Sequence, residues 1–452
     1  MENPAKVNIT DVIDNSRLGA YQWGIFLLCG LCLIMDGFDL QAIGFVGPAL
    51  IRDWHIPSAT MGRLFSSALV GVLFGSLLFS MLADRIGRRP VLIGVTLYFS
   101  ALTFMTARAD TVDHLLIIRF FGGLGLGGIM PNAMALVGEY SPARARVTAM
   151  MVVSNGFTLG AAFGGPIAAW LIPNYGWRGV FYFGAVTPLV IAILMFFLLP
   201  ESLQFLALRG HDKKQIARSL KRVDPSLTVG PATEYVIPEE KKRGVPMVQL
   251  FHDGRALGTA MLWIVNFMNL LNLYFLSNWL PIVVSSAGYS NSIAVNSAAV
   301  LQVGGVVGTL VLSSFVYRFG FTPVLTLSFT LACVSIFAIG QPYLSLVMLF
   351  VVVFLAGFGV PGSQAGLNAL AATYYPTDLR STGVGSGLGI GRIGSIVGPF
   401  VGGILLGRHW TARDLFIAAA IPALISAIVM FSLRWVIKPS TTAVSATEAL
   451  VH

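Results

Sequence analysis

The stretch Gly75-Ser-Leu-Leu-Phe-Ser-Met-Leu-Ala-Asp-Arg-Ile-Gly87-Arg-Arg-Pro90-Val-Leu92 ends one apolar run, turns through a charged loop and starts another run at a proline. An ungapped copy lies 233 residues later, as Gly308-Thr-Leu-Val-Leu-Ser-Ser-Phe-Val-Tyr-Arg-Phe-Gly320-Phe-Thr-Pro323-Val-Leu325. Glycine, arginine and proline coincide. A chain duplicated around such a turn predicts two related halves.

The repeat extends on both sides. Gly123, Gly125 and Gly128 match Gly357, Gly359 and Gly362, followed by Pro142 and Arg146 matching Pro376 and Arg380. Gly164-Gly165-Pro166 matches Gly398-Pro399, and Pro48 matches Pro281. Around these marks lie twelve apolar segments, at about 22–50, 59–83, 91–107, 115–139, 147–172 and 177–199, then 256–284, 292–317, 323–341, 345–374, 382–407 and 411–437. Most reach the ~20 residues that span a hydrocarbon core.

Composition agrees. Of 452 residues 56% are hydrophobic and 11% charged, against about 25% charged in soluble domains. An ordinary soluble enzyme is excluded. Because lipid leaves no water for unpaired backbone groups, the spans must be helical. The reading is an all-α membrane protein of twelve transmembrane helices in two six-helix, pseudo-symmetric halves, 22–199 and 256–437. Residues 1–21 form an N-terminal segment, 200–255 a linker and 438–452 a tail. Asp11 and Asp14 precede a late-starting first run, which reads as a retained span rather than a signal peptide.

The net charge of +9 could suggest nucleic acid, but the basic residues sit at span ends. With a cytoplasmic N-terminus, 21 of the 29 Lys and Arg fall on the inside, which predicts that both termini are cytoplasmic. The stretch containing Lys213, Lys214, Arg218, Lys221, Arg222, Lys241, Lys242 and Arg243 reads as a solvated linker with a short surface helix. Gly389-Ile-Gly391-Arg-Ile-Gly394 and Gly123-Leu-Gly125-Leu-Gly-Gly128 fit a nucleotide-loop pattern, but neither opens a helix after a strand, so both read as helix-packing faces. No cofactor or metal is expected: the six histidines lie in loops or tails, and the three cysteines fit no metal spacing.

Four charges sit deep within spans, where they are costly and mark function. Asp36 and Asp39 share one face of the first span, Arg119 lies in the fourth and Arg392 in the eleventh. In the repeat the aspartates align with Asn269 and Asn272, part of a stripe begun by Asn266. Only the N-terminal half can then change protonation there. An aspartate beside a movable arginine can alternate between neutral and ionised forms, as a proton carrier must.

These residues resemble the major facilitator superfamily. Gly75 to Arg89 is similar to its signature loop, Arg119-Phe-Phe-Gly-Gly-Leu-Gly-Leu-Gly-Gly128 to its fourth-span motif, and Pro200-Glu-Ser202 to its sixth-span end. Asp36-Gly-Phe-Asp39 and Gly-Ile-Gly-Arg392 further resemble the aromatic acid:proton symporter branch. The resemblance implies a proton-coupled importer of a small aromatic carboxylate such as 4-hydroxybenzoate, protocatechuate or gallate, monomeric, in a bacterial inner membrane. Asp36, Asp39 and Arg119 would couple protons. Arg392 or Arg119 would bind the carboxylate, with Asn269, Asn272, Phe38, Asn155, Thr158, Gln364 and Asn368 around the ring. Gating would fall to Gly75, Asp84, Arg85, Gly87, Arg88, Glu139, Arg144 and Arg146, with Asp84 latching the start of the eleventh span, near Ser381, in the outward-open state. Asp84 and Arg88 become Tyr317 and Phe321 in the second copy, so the latch is one-sided. The alternative is a proton-coupled drug or metabolite antiporter, since Gly160-Ala-Ala-Phe-Gly-Gly-Pro166 partly resembles an antiporter motif.

Overall fold

The computed structural model describes residues 6–208, 213–225, 227, 234–236, 247–341, 344–376 and 379–436. Lys241, Lys242 and Arg243 lie outside the described residues. In chain order the first half comprises β1 (Lys6–Asn8), α1 (Ile9–Asn15), α2 (Ala20–Trp54), α3 (Ser58–Ile86), α4 (Arg88–Ala107), α5 (Val112–Tyr140) and α6 (Arg146–Leu198). The connection carries α7 (Leu203–Leu208), α8 (Lys213–Val223), β2 (Glu234–Val236) and a 3-10 turn at Met247–Phe251. The second half comprises α9 (Ala256–Ser286), α10 (Asn291–Phe319), α11 (Phe321–Ile339), α12 (Leu346–Gly359), α13 (Pro361–Tyr374), α14 (Arg380–Gly407) and α15 (Ala412–Leu433).

Among the described residues eleven helices are long and apolar enough to cross a membrane, counting α12 and α13 as one interrupted helix. The longest makes two crossings. Within α6, Gly176 turns the chain at φ +69°, close to Pro173. A Cβ at Gly164 would lie 3.1 Å from the Phe38 ring and one at Gly184 3.2 Å from the same ring, whereas that many residues of straight helix rise ~30 Å. The chain therefore doubles back between them, giving twelve passes.

The duplicated glycines make duplicated contacts. A Cβ at Gly75 would strike the Leu124 carbonyl, and one at Gly308 the Phe358 carbonyl. Gly123 meets Ala68 as Gly357 meets Leu301; Gly160 meets Ile34 as Gly394 meets Phe267. Without a hydrophobic force between helices in lipid, such backbone-to-backbone approach supplies the packing. Pseudo-symmetry in sequence is thus pseudo-symmetry in contact.

The halves touch at the end remote from the termini. There Ser66 Oγ donates to the Ile396 carbonyl at 2.8 Å, a Cβ on Gly62 would lie 2.9 Å from the Pro399 carbonyl, and Phe65 meets Trp279 edge-on at 5.2 Å. Toward the termini the same helix faces part: Leu77 and Met81 of α3 are exposed, and a Cβ at Gly385 or Gly389 of α14 would enter open space. The space between the halves opens on the terminus face.

On that face the connection is docked, not wholly solvated. Ile216, Leu220 and Val223 of α8 are buried at helical spacing, as are Ile9 and Ile13 of α1. β1 pairs in parallel with β2, and the Arg222 guanidinium lies over the Tyr21 ring at 5.5 Å. The solvated-linker expectation fits only the basic face of α8, because its apolar stripe needs cover.

Candidate functional site

The four span charges gather where α2 crosses α5, α9 and α14. Arg119 NH1 lies 2.9 Å from Asp39 Oδ2, both side chains almost fully buried, and Arg119 NH2 also donates to the Asp39 backbone carbonyl at 3.2 Å. Thr103 of α4 donates to Asp39 Oδ1 at 2.9 Å. Asp39 is therefore fixed inside the N-terminal half. Three residues earlier, Asp36 is 5% exposed, and among the described residues no hydrogen-bond donor reaches its carboxylate. The charges acting on it are Arg392, across the interface, and Asp39. Arg392 is partly buried and donates to the Tyr274 hydroxyl at 3.5 Å. Tyr274 lies within electrostatic range of both Arg392 and Asp36. Spacing put the two aspartates on one face, but their surroundings separate them.

The asparagine stripe of α9 divides as well. Asn266 and Asn269 join Gln364 and Asn368 of α13: Asn269 Nδ2 donates to Gln364 Oε1 at 2.8 Å, and Gln364 Nε2 donates to Asn266 Oδ1 at 3.1 Å and Asn368 Oδ1 at 3.2 Å. Asn272 turns instead to α15. With its amide oriented to suit both neighbours, its nitrogen donates to the Ala419 carbonyl at 2.9 Å and its oxygen accepts from Ala423 N at 3.2 Å. Pro422 interrupts α15 there, and Asn272 fills the hydrogen bonds the helix gives up.

Phe38 packs into the first half, edge-on to Phe183 at 5.3 Å. Asn155 and Thr158 are partly exposed; Thr158 lies two turns before Gly165, which faces Ala299 of α10, so it shares the face turned toward the other half. An apolar groove of about 290 Å³ runs along Leu27, Leu31, Val152 and Leu159. It lies on the side of α2 opposite Asp36 and offers a charged solute no partner.

The expected gating residues form a cluster at the terminus face. Arg88 Nε lies 2.7 Å from Glu139 Oε1, and Ser202 donates to Glu139. Glu201 Oε1 accepts from the backbone N–H of Arg88 at 3.0 Å, of Arg89 at 3.1 Å and of Ser202 at 2.8 Å. It caps α4, favoured by the helix dipole. Gly87 sits at φ +106°, and a Cβ there would collide with the Glu201 carboxylate. Arg146 pairs with Asp14 of α1, and Arg144 donates to the Ser16 carbonyl at 3.3 Å. Asp84 and Arg85 are exposed at the end of α3, while Gly75 packs within the first half. The capping role of Glu201 was not read from the sequence, nor were Thr103 and the place of Tyr274 beside Arg392. Only the Pro200-Glu-Ser202 motif pointed toward the first.

A family model described as the Major Facilitator Superfamily matches residues 29–316 and again 262–451. The chain belongs to the major facilitator superfamily. Within it, the chain is 38% identical over 424 residues to the 4-hydroxybenzoate transporter PcaK of Pseudomonas putida, covering 93% of this chain and 94% of that one. It is 36% identical to the gallate transporter of Pseudomonas putida, over 95% of each. Among solved structures it is similar to a bacterial homologue of the human lysosomal transporter Spinster in an inward-facing conformation, at TM-score 0.71 and 18% identity over 94% of this chain and 100% of that one. It is likewise similar to the xylose transporter XylE from E. coli, at TM-score 0.71 and 15% identity over 94% and 99%. This major facilitator protein is a multi-pass membrane transporter and not an enzyme.

Proposed function

We propose that this major facilitator protein is a proton-coupled importer of a small aromatic carboxylate such as 4-hydroxybenzoate, protocatechuate or gallate, working by alternating access in a bacterial inner membrane with both termini cytoplasmic. The observation that carries this reading is Asp36: a carboxylate buried mid-span, without a hydrogen-bond donor among the described residues, facing Arg392 across the interface. For a buried carboxylate an approaching cation favours the ionised form, and withdrawal of the cation favours the protonated form. A substrate carboxylate competes for Arg392, Asp36 takes a proton, and the loaded site carries no net charge from these groups. Release of substrate returns Arg392 to Asp36 and expels the proton. Asp39, held by Arg119 and Thr103, enters this cycle only if Arg119 is drawn off.

Asp84 latches the start of α14 in the opposite, outward-open state, and Arg88, Glu139, Arg144 and Arg146 brace it. The antiporter reading rests on Gly160 to Pro166, whose glycines are accounted for by contact with Ile34 and Phe45 of α2 and with Ala299 of α10. Reconstituted protein separates the readings. Addition of 4-hydroxybenzoate outside proteoliposomes is expected to alkalinise the external medium as proton and anion enter together; acidification coupled to substrate exit would replace symport with exchange.

A further inference from the structure

The amide network between α9 and α13 has a direction that can be read from one fixed end. Asn266 Nδ2 donates to the Leu262 backbone carbonyl at 3.1 Å, and a carbonyl can only accept. Asn266 Oδ1 is therefore the end that accepts from Gln364 Nε2 at 3.1 Å. That leaves Gln364 Oε1 to accept from Asn269 Nδ2 at 2.8 Å. Each amide's orientation follows from its neighbour, so none is arbitrary. The last atom of the chain, Asn269 Oδ1, is buried without a donor, and Asn269 is 1% exposed. Leaving such an acceptor unpaired is costly, and side-chain amides in a packed core are ordinarily matched.

Three further observations concern what meets this acceptor. Gln364 and Asn368 are partly exposed, so the network has a solvent-facing edge. Asn269 lies five residues from Tyr274, the partner of Arg392, ~7.5 Å along the axis and about 140° around it. The helix carrying Gln364 is set on a break: α12 ends at Gly359 and α13 starts at Pro361, whose ring cannot continue the hydrogen-bond ladder. Movement of α13 about that break would open Asn269 Oδ1 to a ligand.

We propose that Asn269, oriented through Gln364 by Asn266 and the Leu262 carbonyl, is the specificity-determining acceptor for a ring hydroxyl of the substrate. The inference rests on the aromatic-acid reading above and deepens it. With the carboxylate at Arg392, a ring hydroxyl that reaches the seam between α9 and α13 supplies the missing donor. A ligand without that donor leaves the acceptor buried and unpaired, and discrimination of this kind is large because the penalty falls on the protein. Since α13 must shift to admit the hydroxyl, the contact belongs to the substrate-loaded state.

The test is equilibrium binding of 4-hydroxybenzoate and benzoate to the purified full-length protein and to Asn269→Leu, with thermal unfolding as a check on folding. Wild type is expected to prefer 4-hydroxybenzoate by about tenfold or more, and Asn269→Leu to lose that preference. Equal affinity of wild type for both ligands, or an unchanged ratio in folded Asn269→Leu, would overturn the subsite and leave the aromatic-acid reading standing. Wild type that binds neither ligand would remove both. If Asn269→Leu fails to fold, Gln364→Leu, which removes the residue that orients Asn269, gives the same comparison: a preserved ratio overturns the proposal.

Discussion

Arg119 holds Asp39 through two contacts, guanidinium to carboxylate at 2.9 Å and guanidinium to backbone carbonyl at 3.2 Å, while Asp36 on the same helix has no comparable partner. Two aspartates three residues apart are therefore unlike in chemistry. One is a closed pair inside a half, and the other is an ionisable group at the interface between halves.

Asp39→Ala leaves a buried guanidinium without its counter-charge, a change that costs about 3–5 kcal/mol. The unfolding midpoint in detergent is expected to fall sharply. The double variant Asp39→Leu with Arg119→Met should recover much of that loss, since neither charge is then stranded. A small loss in the single variant would show that the pair contributes little.

Asp36→Asn keeps shape and removes the titratable oxygen. Its unfolding midpoint should stay near that of wild type because Asp36 accepts no hydrogen bond from a described residue. Gradient-driven accumulation of 4-hydroxybenzoate should disappear while exchange of internal for external substrate persists. Undiminished accumulation by Asp36→Asn would remove it from the coupling step.

Glu201→Ala takes a carboxylate from the start of α4, where it accepts from the N–H groups of Arg88 and Arg89. Charge-assisted bonds of this kind are worth about 1.5–3 kcal/mol each at most, so a loss of a few kcal/mol is expected by chemical or thermal unfolding. Gly87→Ala should also destabilise, because a Cβ is strained at φ +106° and meets the same carboxylate.

Closure of the face remote from the termini depends on Gly62 meeting Gly403, where a Cβ on Gly403 would lie 2.8 Å from the Gly62 Cα. Gly403→Val should hold α3 and α14 apart. A cysteine placed at Ser66, in a background lacking Cys333, is expected to react several-fold faster with an impermeant thiol reagent from the remote side in Gly403→Val than in its absence. Equal labelling would mean that closure tolerates the added bulk.

Asn272→Leu tests the division of the α9 stripe. Its amide bridges the carbonyl and N–H that Pro422 leaves apart in α15, so the variant should lose about 1–3 kcal/mol of stability. The ratio of 4-hydroxybenzoate to benzoate affinity should be unchanged, in contrast to Asn269→Leu.

Much of the architecture was legible because membrane insertion writes itself into sequence. Long apolar runs fix helices, and the ungapped copy of Gly75–Leu92 at Gly308–Leu325 fixes two related halves. The repeated glycines then reappear as the points where helix backbones touch. The site was legible only as a set of residue types. Periodicity put Asp36 with Asp39, and Asn266 and Asn269 with Asn272, since a helical wheel has no record of which neighbour each side chain meets. Phe38, expected near the ring, packs against Phe183 for the same reason.

The solvent, the helices, the duplication and the short roster of charges kept inside the spans are all written in the amino-acid sequence, because polar groups are costly in lipid. Tertiary structure decided which of those charges is paired and which stands at the interface, which end of the molecule is closed, and which amide atom lacks a partner. Those outcomes depend on contacts between helices distant in the chain, where an ångström separates a satisfied group from an unsatisfied one, and no local pattern carries that information.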